Sequence, residues 1–544
     1  MLKRLLAAAV ALSLSSPIFA APISDQAIGN LFDVLSTGGG AYDGAHNAPA
    51  VFVPVKAAPA RAAAPLTAAP TSTSSRMPEA APAPAPVDVQ PTQAHGISDG
   101  FVGLYKEDEL VIGTGRCSGC RAPEQGKWYF LNDVIATPKA GTPALIWLGA
   151  HELVEGATLS DDGKEVKLKD GTILPFSLVD KIPENRSYYD ASTLKYLKGK
   201  TLRMRGEYAE VNGVKTFVAR TIWPEDYRID AANLKTADAK DSGGVDKLVK
   251  ADKGGAQAPF QTELLWEAKD GDRNYEGKPV MGVMLNGAQG DDDEALAGHF
   301  SLFTGRYGPN GSMADWMFNN FYDMNSTSEK GIIAAMVPMD KYMTDLNSGQ
   351  SWYRPSYLLV MVMKDGRVPE KIQETFKQRY AQYYAQDFKY EHDHLNCTAL
   401  IADPVRTDGW NIPKSGGTAK PIAKALSFLA GKLAGKKAGD EIYQAMIEEP
   451  TRSFPRAAFD AVGGDLLAMQ GKDGAEPLTR KLSPLEQMLH DDIQAVVWVR
   501  MPQIPSSRKF GRDAVKSTID YMLRTKGKIK QTIPTDPRPY PPPH

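Results

Sequence analysis

Residues 390–405 read YEHDHLNCTALIADPV, and the fold turns on this stretch. It holds Cys397, one of three cysteines; the other two, Cys117 and Cys120, sit together in GTGRCSGCRAP (residues 113–123). Asn396 is a good helix N-cap, and CTALIAD from Cys397 on is helical in propensity up to Pro404. The thiol then falls in the first turn of a helix, where the positive end of the macrodipole favours thiolate. Pro404 limits or kinks that helix after about two turns. Roughly a hundred residues upstream, GHFSLFTGR (residues 298–306) alternates as a strand, with His299, Ser301 and Phe303 on one face. A thiol and an imidazole on separate elements are the two parts of a cysteine nucleophile, and the imidazole takes the thiol proton. The plainer readings are a buried inert thiol and a core or capping histidine.

Composition narrows the setting. The chain has 544 residues, 42% of them hydrophobic, enough for two or three globular domains. A formal net charge of −2 carries no electrostatic footprint for nucleic acid. Residues 1–20, MLKRLLAAAVALSLSSPIFA, have the positive start, short apolar core and small-residue end of a secretory signal. No cysteine lies near its cleavage site, so a periplasmic protein is expected rather than a lipoprotein. In an oxidising compartment Cys117 and Cys120 read as a local structural disulfide. Half of a zinc site would need more than His151 as a complement. A redox motif would want a helix opening on Cys117, and Pro123 and Gly126 follow too soon. Cys397 is left over, which marks it as a reactive group or an intermolecular link.

Along the chain, residues 21–95 form an Ala/Pro-rich spacer that cannot bury enough apolar surface to fold. Residues 96–237 read as a small all-β domain, with strand-like runs at 144–148, 166–168, 173–178, 202–207 and 215–219. Asn212-Gly213 between the last two signals a tight hairpin. The stretch GKTLRMRGEYAEVNGVKTFVARTIWP (residues 199–224) resembles the middle of a small oligonucleotide/oligosaccharide-binding (OB-like) barrel. Residues 238–258 read as a linker. The second domain, residues 259–530, carries strand candidates at 280–285, 299–304, 316–324, 357–363 and 496–499. Helices are expected at 369–390, 423–446 and 513–524. A Pro-rich tail, 531–544, follows.

The pairing of GHFSLFTGR with the later HLNCTALI resembles the histidine strand and cysteine helix of circularly permuted NlpC-type, papain-like proteins. These include bacterial cell-wall amidases and peptidases and the lecithin–retinol acyltransferase group. Asn319-Asn320-Phe321-Tyr322 and DLNSGQSWYRPSY (residues 345–357) resemble a periplasmic branch of that superfamily. The resemblance spans about residues 280–403. It implies an α+β, permuted papain-like domain behind the β domain. It also implies a third, polar residue on the strand after the histidine that orients the imidazole. That residue is Asn320, with Asn319 and Asp323 as alternatives, since alternation alone leaves the register open.

The expected activity is therefore acyl transfer through Cys397, His299 and Asn320, with backbone N–H groups around Cys397 as the oxyanion hole. An amide of a peptidoglycan peptide is the first expected substrate, and a lipid or lipoprotein acyl group the second. From another class, a non-catalytic envelope-binding or assembly module would keep the fold without the chemistry. No cofactor and no metal are expected. Glu391, His392, Asp393 and His394, with the acidic run at 291–294, could ligate an ion, but read first as solvated polar loops. Residues 423–437, AKALSFLAGKLAGKK, are amphipathic and basic. They read as a core helix with a solvated lysine face, or as a peripheral membrane contact. Residues 499–512, VRMPQIPSSRKFGR, read as a basic surface loop or as a binder of carboxylate or phosphate near the cleft.

Overall fold

A computed structural model describes residues 102–105, 109–113, 132–136 and 146–147, and most of 152–525. Within that last span, 180–188, 238–244, 250–254, 270, 291–293, 322–335, 347, 385–387, 389, 391–394, 415–419, 473–474, 476 and 507 are left out. The stretches read as a secretory signal, a spacer and a C-terminal tail lie outside the described residues, as do Cys117, Cys120, His151, Asp323 and residues 391–394.

The fold is α+β and contains a small five-stranded barrel. Its first part is a four-stranded antiparallel sheet of β1 (Val102–Tyr105), β2 (Glu109–Gly113), β3 (Asn132–Ala136) and β4 (Ile146–Trp147). The barrel follows: β5 (Glu152–Leu159), β6 (Glu165–Lys167), β7 (Ile173–Leu178), helix α1 (Ala191–Leu197), β8 (Leu202–Val211) and β9 (Val214–Ala219). β5, β6 and β7 pair in sequence, β7 runs parallel to β9, and β8 pairs with both β9 and β5, which closes the ring. The hairpin between β8 and β9 turns on Asn212 (φ 54°) and Gly213 (φ 77°). Both are left-handed, as a tight type I′ turn requires.

After β10 (Trp223–Pro224) and β11 (Lys235–Thr236) the chain enters its main sheet. This is built from β12 (Gln261–Glu267), β13 (Pro279–Asn286), β14 (His299–Arg306), β15 (Met317–Asn319) and β16 (Met336–Pro338). Helix α2 (Met339–Thr344), β17 (Ser356–Met363), α3 (Arg367–Tyr384), α4 (Cys397–Thr407), α5 (Lys420–Ala434) and α6 (Lys436–Ile447) come next. They are followed by α7 (Pro450–Ser453), α8 (Pro455–Met469), α9 (Pro484–Asp492), β18 (Ile493–Met501) and α10 (Thr518–Thr525). The eight strands lie in the order β11-β12-β18-β17-β13-β14-β15-β16. β13 and β17 are buried along their whole length. Their unbroken apolar runs suit a sheet covered on both faces. Helices α3 and α8 pack against β13 and β14, and α4 packs against β14. Gly463 lets α8 lie close: a Cβ there would come within 2.5 Å of Val245 and 2.8 Å of Leu359.

Several expectations are corrected here. Within the stretch read as a linker, Val245 and Val249 belong to the main core and Ala256 is buried. The Asp246 carboxylate of the same stretch is held by Arg456 on α8 at 2.7 Å. The strand expected over 316–324 ends at Asn319. The helical region 423–446 breaks into α5 and α6 at Gly435, whose φ of 94° only glycine adopts easily. The last helix begins at Thr518 rather than at 513. The segment 499–512 is no surface loop, because Met501, Gln503 and Ile504 are buried and Arg512 bridges to Ala288.

The barrel and the sheet domain share apolar surface. Leu346, Trp352, Tyr353 and Ile504 belong to the barrel's core cluster. Ion pairs add to it: the fully buried Asp340 on α2 accepts from Arg203 Nε at 3.1 Å and Arg205 Nε at 2.7 Å, both on β8.

Candidate active site

The site is built where β14 begins. The N-cap of α4 sets one half of it. The Asn396 side chain accepts from the N–H groups of Thr398 (2.9 Å) and Ala399 (3.3 Å), while its amide donates to the Ser453 carbonyl at 3.0 Å. Asn396 thus fixes the first turn of the helix and ties it to α7. Cys397, 5% exposed, then points at β14, and its sulfur receives the backbone N–H of Phe300. Phe300 is the neighbour of His299. The helix that follows runs on through Pro404 to Thr407.

His299 supplies the other half. It opens β14 opposite Asn286 of β13 and is 2% exposed. Its Nε2 lies 2.7 Å from Asn320 Oδ1. An amide oxygen only accepts, so Nε2 carries the proton and Nδ1 the lone pair. Asn320 sits one residue beyond the end of β15 and is buried. Asn319, the alternative, points elsewhere: its amide donates to Leu302 O at 3.3 Å and to Gln373 Oε1 at 3.4 Å.

Burial controls the protonation states. It pushes the His299 imidazole down to about 3, helped by the positive Arg354 nearby and opposed by the hydrogen bond to Asn320. Burial also pushes the Cys397 thiol up, against the Phe300 N–H, the hydroxyls of Thr398 and Tyr390, and the charge of Arg354. The helix terminus and a neighbouring imidazolium were expected to yield thiolate. Desolvation outweighs both, and at neutral pH the Cys397 thiol and the His299 imidazole each rest uncharged.

The backbone N–H groups expected to form an oxyanion hole all have partners here. The N–H groups of Thr398 and Ala399 are spent on Asn396. The Cys397 N–H donates to Tyr390 Oη at 3.1 Å, which holds the phenol hydroxyl beside the sulfur. Tyr390 opens the stretch quoted first, yet its spacing from Cys397 gave it no role. Arg354 was also missed, although DLNSGQSWYRPSY contains it. It is 2% exposed, donates twice to Gln350 Oε1 (2.9 and 2.6 Å) and once to Gly287 O (3.2 Å). A cation so deeply buried gives no sign of itself in a sequence pattern.

Behind the histidine lies a buried polar relay. Tyr342 Oη donates to Asn286 Oδ1 at 2.5 Å, and Asn286 Nδ2 donates to Ser356 Oγ at 2.8 Å. Among the described residues, no group of three His, Cys, Asp or Glu side chains is placed to hold a metal ion. No helix among them is long and apolar enough to cross a membrane. Compared with protein-family models, curated proteins and solved structures, the chain matches none.

Proposed function

We propose that the protein is a cysteine-dependent hydrolase that transfers an acyl group to Cys397, and that its sheet domain is a permuted papain-like domain of NlpC type. The observation that supports this most is the buried contact of His299 Nε2 with Asn320 Oδ1 at 2.7 Å, one residue along the strand from the N–H that meets the thiol. A histidine so oriented, with its lone pair on Nδ1, is what a thiol needs from a base.

In this reading Cys397 Sγ attacks the carbonyl carbon of the substrate as its proton passes to His299 Nδ1. The carbonyl oxygen becomes an oxyanion, met by the Tyr390 hydroxyl and by the Cys397 N–H, which exchanges its bond to Tyr390 Oη for one to the oxyanion. The C–N bond then breaks, the amine leaves with the proton from His299, and a thioester remains on Cys397. Water, deprotonated by His299, attacks the thioester and releases the acid and the thiol. Asn320 holds the ring in the tautomer this sequence requires. Because the resting pair is neutral, the base works during attack rather than by storing a thiolate.

The substrate we favour is an amide in a peptidoglycan peptide, reached through a periplasmic location. The support is the secretory-type N-terminus and the resemblance of the two motifs. A lipid or lipoprotein acyl group is the second substrate class. The closed order of β5 to β9, with α1 between the third and fourth strands of the ring, supports an OB-like barrel in front of the hydrolase domain.

The test is digestion of purified peptidoglycan fragments by wild type and by Cys397→Ser, with released amino groups counted. Release by wild type alone supports the reading. If both proteins are inert while the wild type binds the fragments, the envelope-binding module takes its place.

A further inference from the structure

We propose that the α5–α6 hairpin is a docking surface for an anionic phospholipid bilayer. The inference is independent of the chemistry at Cys397, because it rests on a different part of the molecule. The two helices pack on each other and cross tightly at glycine: a Cβ on Gly439 would meet the Ser427 carbonyl at 2.6 Å and Gly431 Cα at 2.9 Å. Such a crossing leaves the outer stripe of α5 uncovered. Pro421, Ala425 and Phe428 follow one another along it, and all three are exposed. Phe428 is 68% exposed, the most exposed large apolar side chain among the described residues. In the sequence this helix reads first as core, with a peripheral membrane contact as the alternative.

Charge decides what covers this stripe. Lys424 and Lys432 flank Phe428 one turn to either side, and the Lys432 ammonium lies 5.6 Å from the centre of its ring. Lys436 from α6 completes the rim of an open groove of about 500 Å³ that also holds Tyr443 and a single carboxylate, Asp440. An exposed aromatic ringed by lysines on an amphipathic helix is suited to the boundary between headgroups and acyl chains. There the ring enters the apolar layer and the flexible ammonium stems reach back to phosphates. A protein partner would sooner meet a flat apolar patch with few lysines at its centre.

The experiment is co-sedimentation of the full chain with vesicles of phosphatidylglycerol and phosphatidylcholine in equal parts, and with vesicles of phosphatidylcholine alone. Binding to the anionic vesicles only, weakened by high salt, is expected. Lys432→Glu and Phe428→Ser should each lower the partition coefficient at least about fivefold, since one lysine near an anionic surface contributes about that factor. Both positions are exposed, so circular dichroism should match wild type. Inorganic phosphate should not compete at millimolar levels; full competition would reduce the groove to a free-phosphate site and overturn the proposal. Equal binding by wild type and both variants would overturn it too. So would a self-associated wild type that Phe428→Ser converts to monomer without any vesicle binding.

Discussion

The Nε2 of His299 and the Oδ1 of Asn320 lie 2.7 Å apart between two buried side chains, although Asn320 falls just beyond the last residue of its strand. The strand ends, the next residue turns inward, and its amide oxygen fixes the tautomer of the imidazole. If the contact serves that purpose, its removal has a defined cost. Asn320→Ala should slow acylation of Cys397 about a hundredfold, within the range of lost general-base catalysis. Asn320→Asp should restore part of the rate and add an acid limb to the pH profile, because a carboxylate beside the ring favours imidazolium. Pre-steady-state acylation of both variants across pH checks this.

Stability should carry the signature of a buried neutral histidine. His299 titrates at about 3 in the fold against 6.5 when unfolded. Between these values the unfolded chain holds one more proton, so stability falls as pH falls through that window. From pH 7 to pH 5 this group alone should cost about 2 kcal/mol, at about 1.4 kcal/mol per pH unit below the unfolded value. Urea titrations should show wild type losing that much more than His299→Gln over the same interval.

The joint between barrel and sheet domain should depend on Asp340. It is fully buried and accepts from Arg203 and Arg205, so Asp340→Ala leaves two guanidinium groups short of a partner. The expected loss is roughly 3 kcal/mol, the lower end for a broken buried pair, because Glu155 and Asp315 still meet Arg203. Lys371→Ala, at an ion pair with Asp408 whose lysine is 44% exposed, should move stability by about 0.5 kcal/mol or less. Thermal melts of the two variants separate these cases.

Two glycines should respond in opposite directions. At Gly282 in β13 a Cβ would lie 2.1 Å from the Leu359 carbonyl and 2.3 Å from the Phe303 ring. Gly282→Ala should therefore cost about 1–3 kcal/mol or prevent folding. Gly464 on α8 is exposed, with nothing within 4 Å of its Cβ position. Gly464→Ala should gain up to about 1 kcal/mol from helix propensity. Chemical denaturation midpoints decide both.

The sequence made the strands legible where apolar runs were bounded by turns: 173–178 matches β7 residue for residue, and 357–363 falls one residue short of β17. His299, Cys397 and the Asn396 cap were legible because each stands out locally. Asn320 needed a resemblance, since Asn319 and Asn320 are identical in type and only the end of β15 separates their directions. Helix α8 went unread although Phe459, Val462, Leu466 and Met469 recur at helical spacing, because Ala457, Ala461 and Ala468 on its other faces and the Gly463-Gly464 pair blur the pattern. Arg354 and Tyr390 act through tertiary position alone. The protonation states ran against expectation for one reason: a helix terminus is a local feature, whereas desolvation of Cys397 and His299 is set by everything packed over them.

Activation of a Cys397 nucleophile by His299 can be read from acylation of the protein with p-nitrophenyl acetate. Nitrophenolate release is followed by intact-mass and peptide analysis of the full chain. The expected result is a burst of one acetyl group per chain, carried on Cys397, absent in Cys397→Ser and slowed at least about a hundredfold in His299→Ala. Acetylation of Cys397 at the same rate in His299→Ala, or no acetylation of the folded wild type, would contradict it.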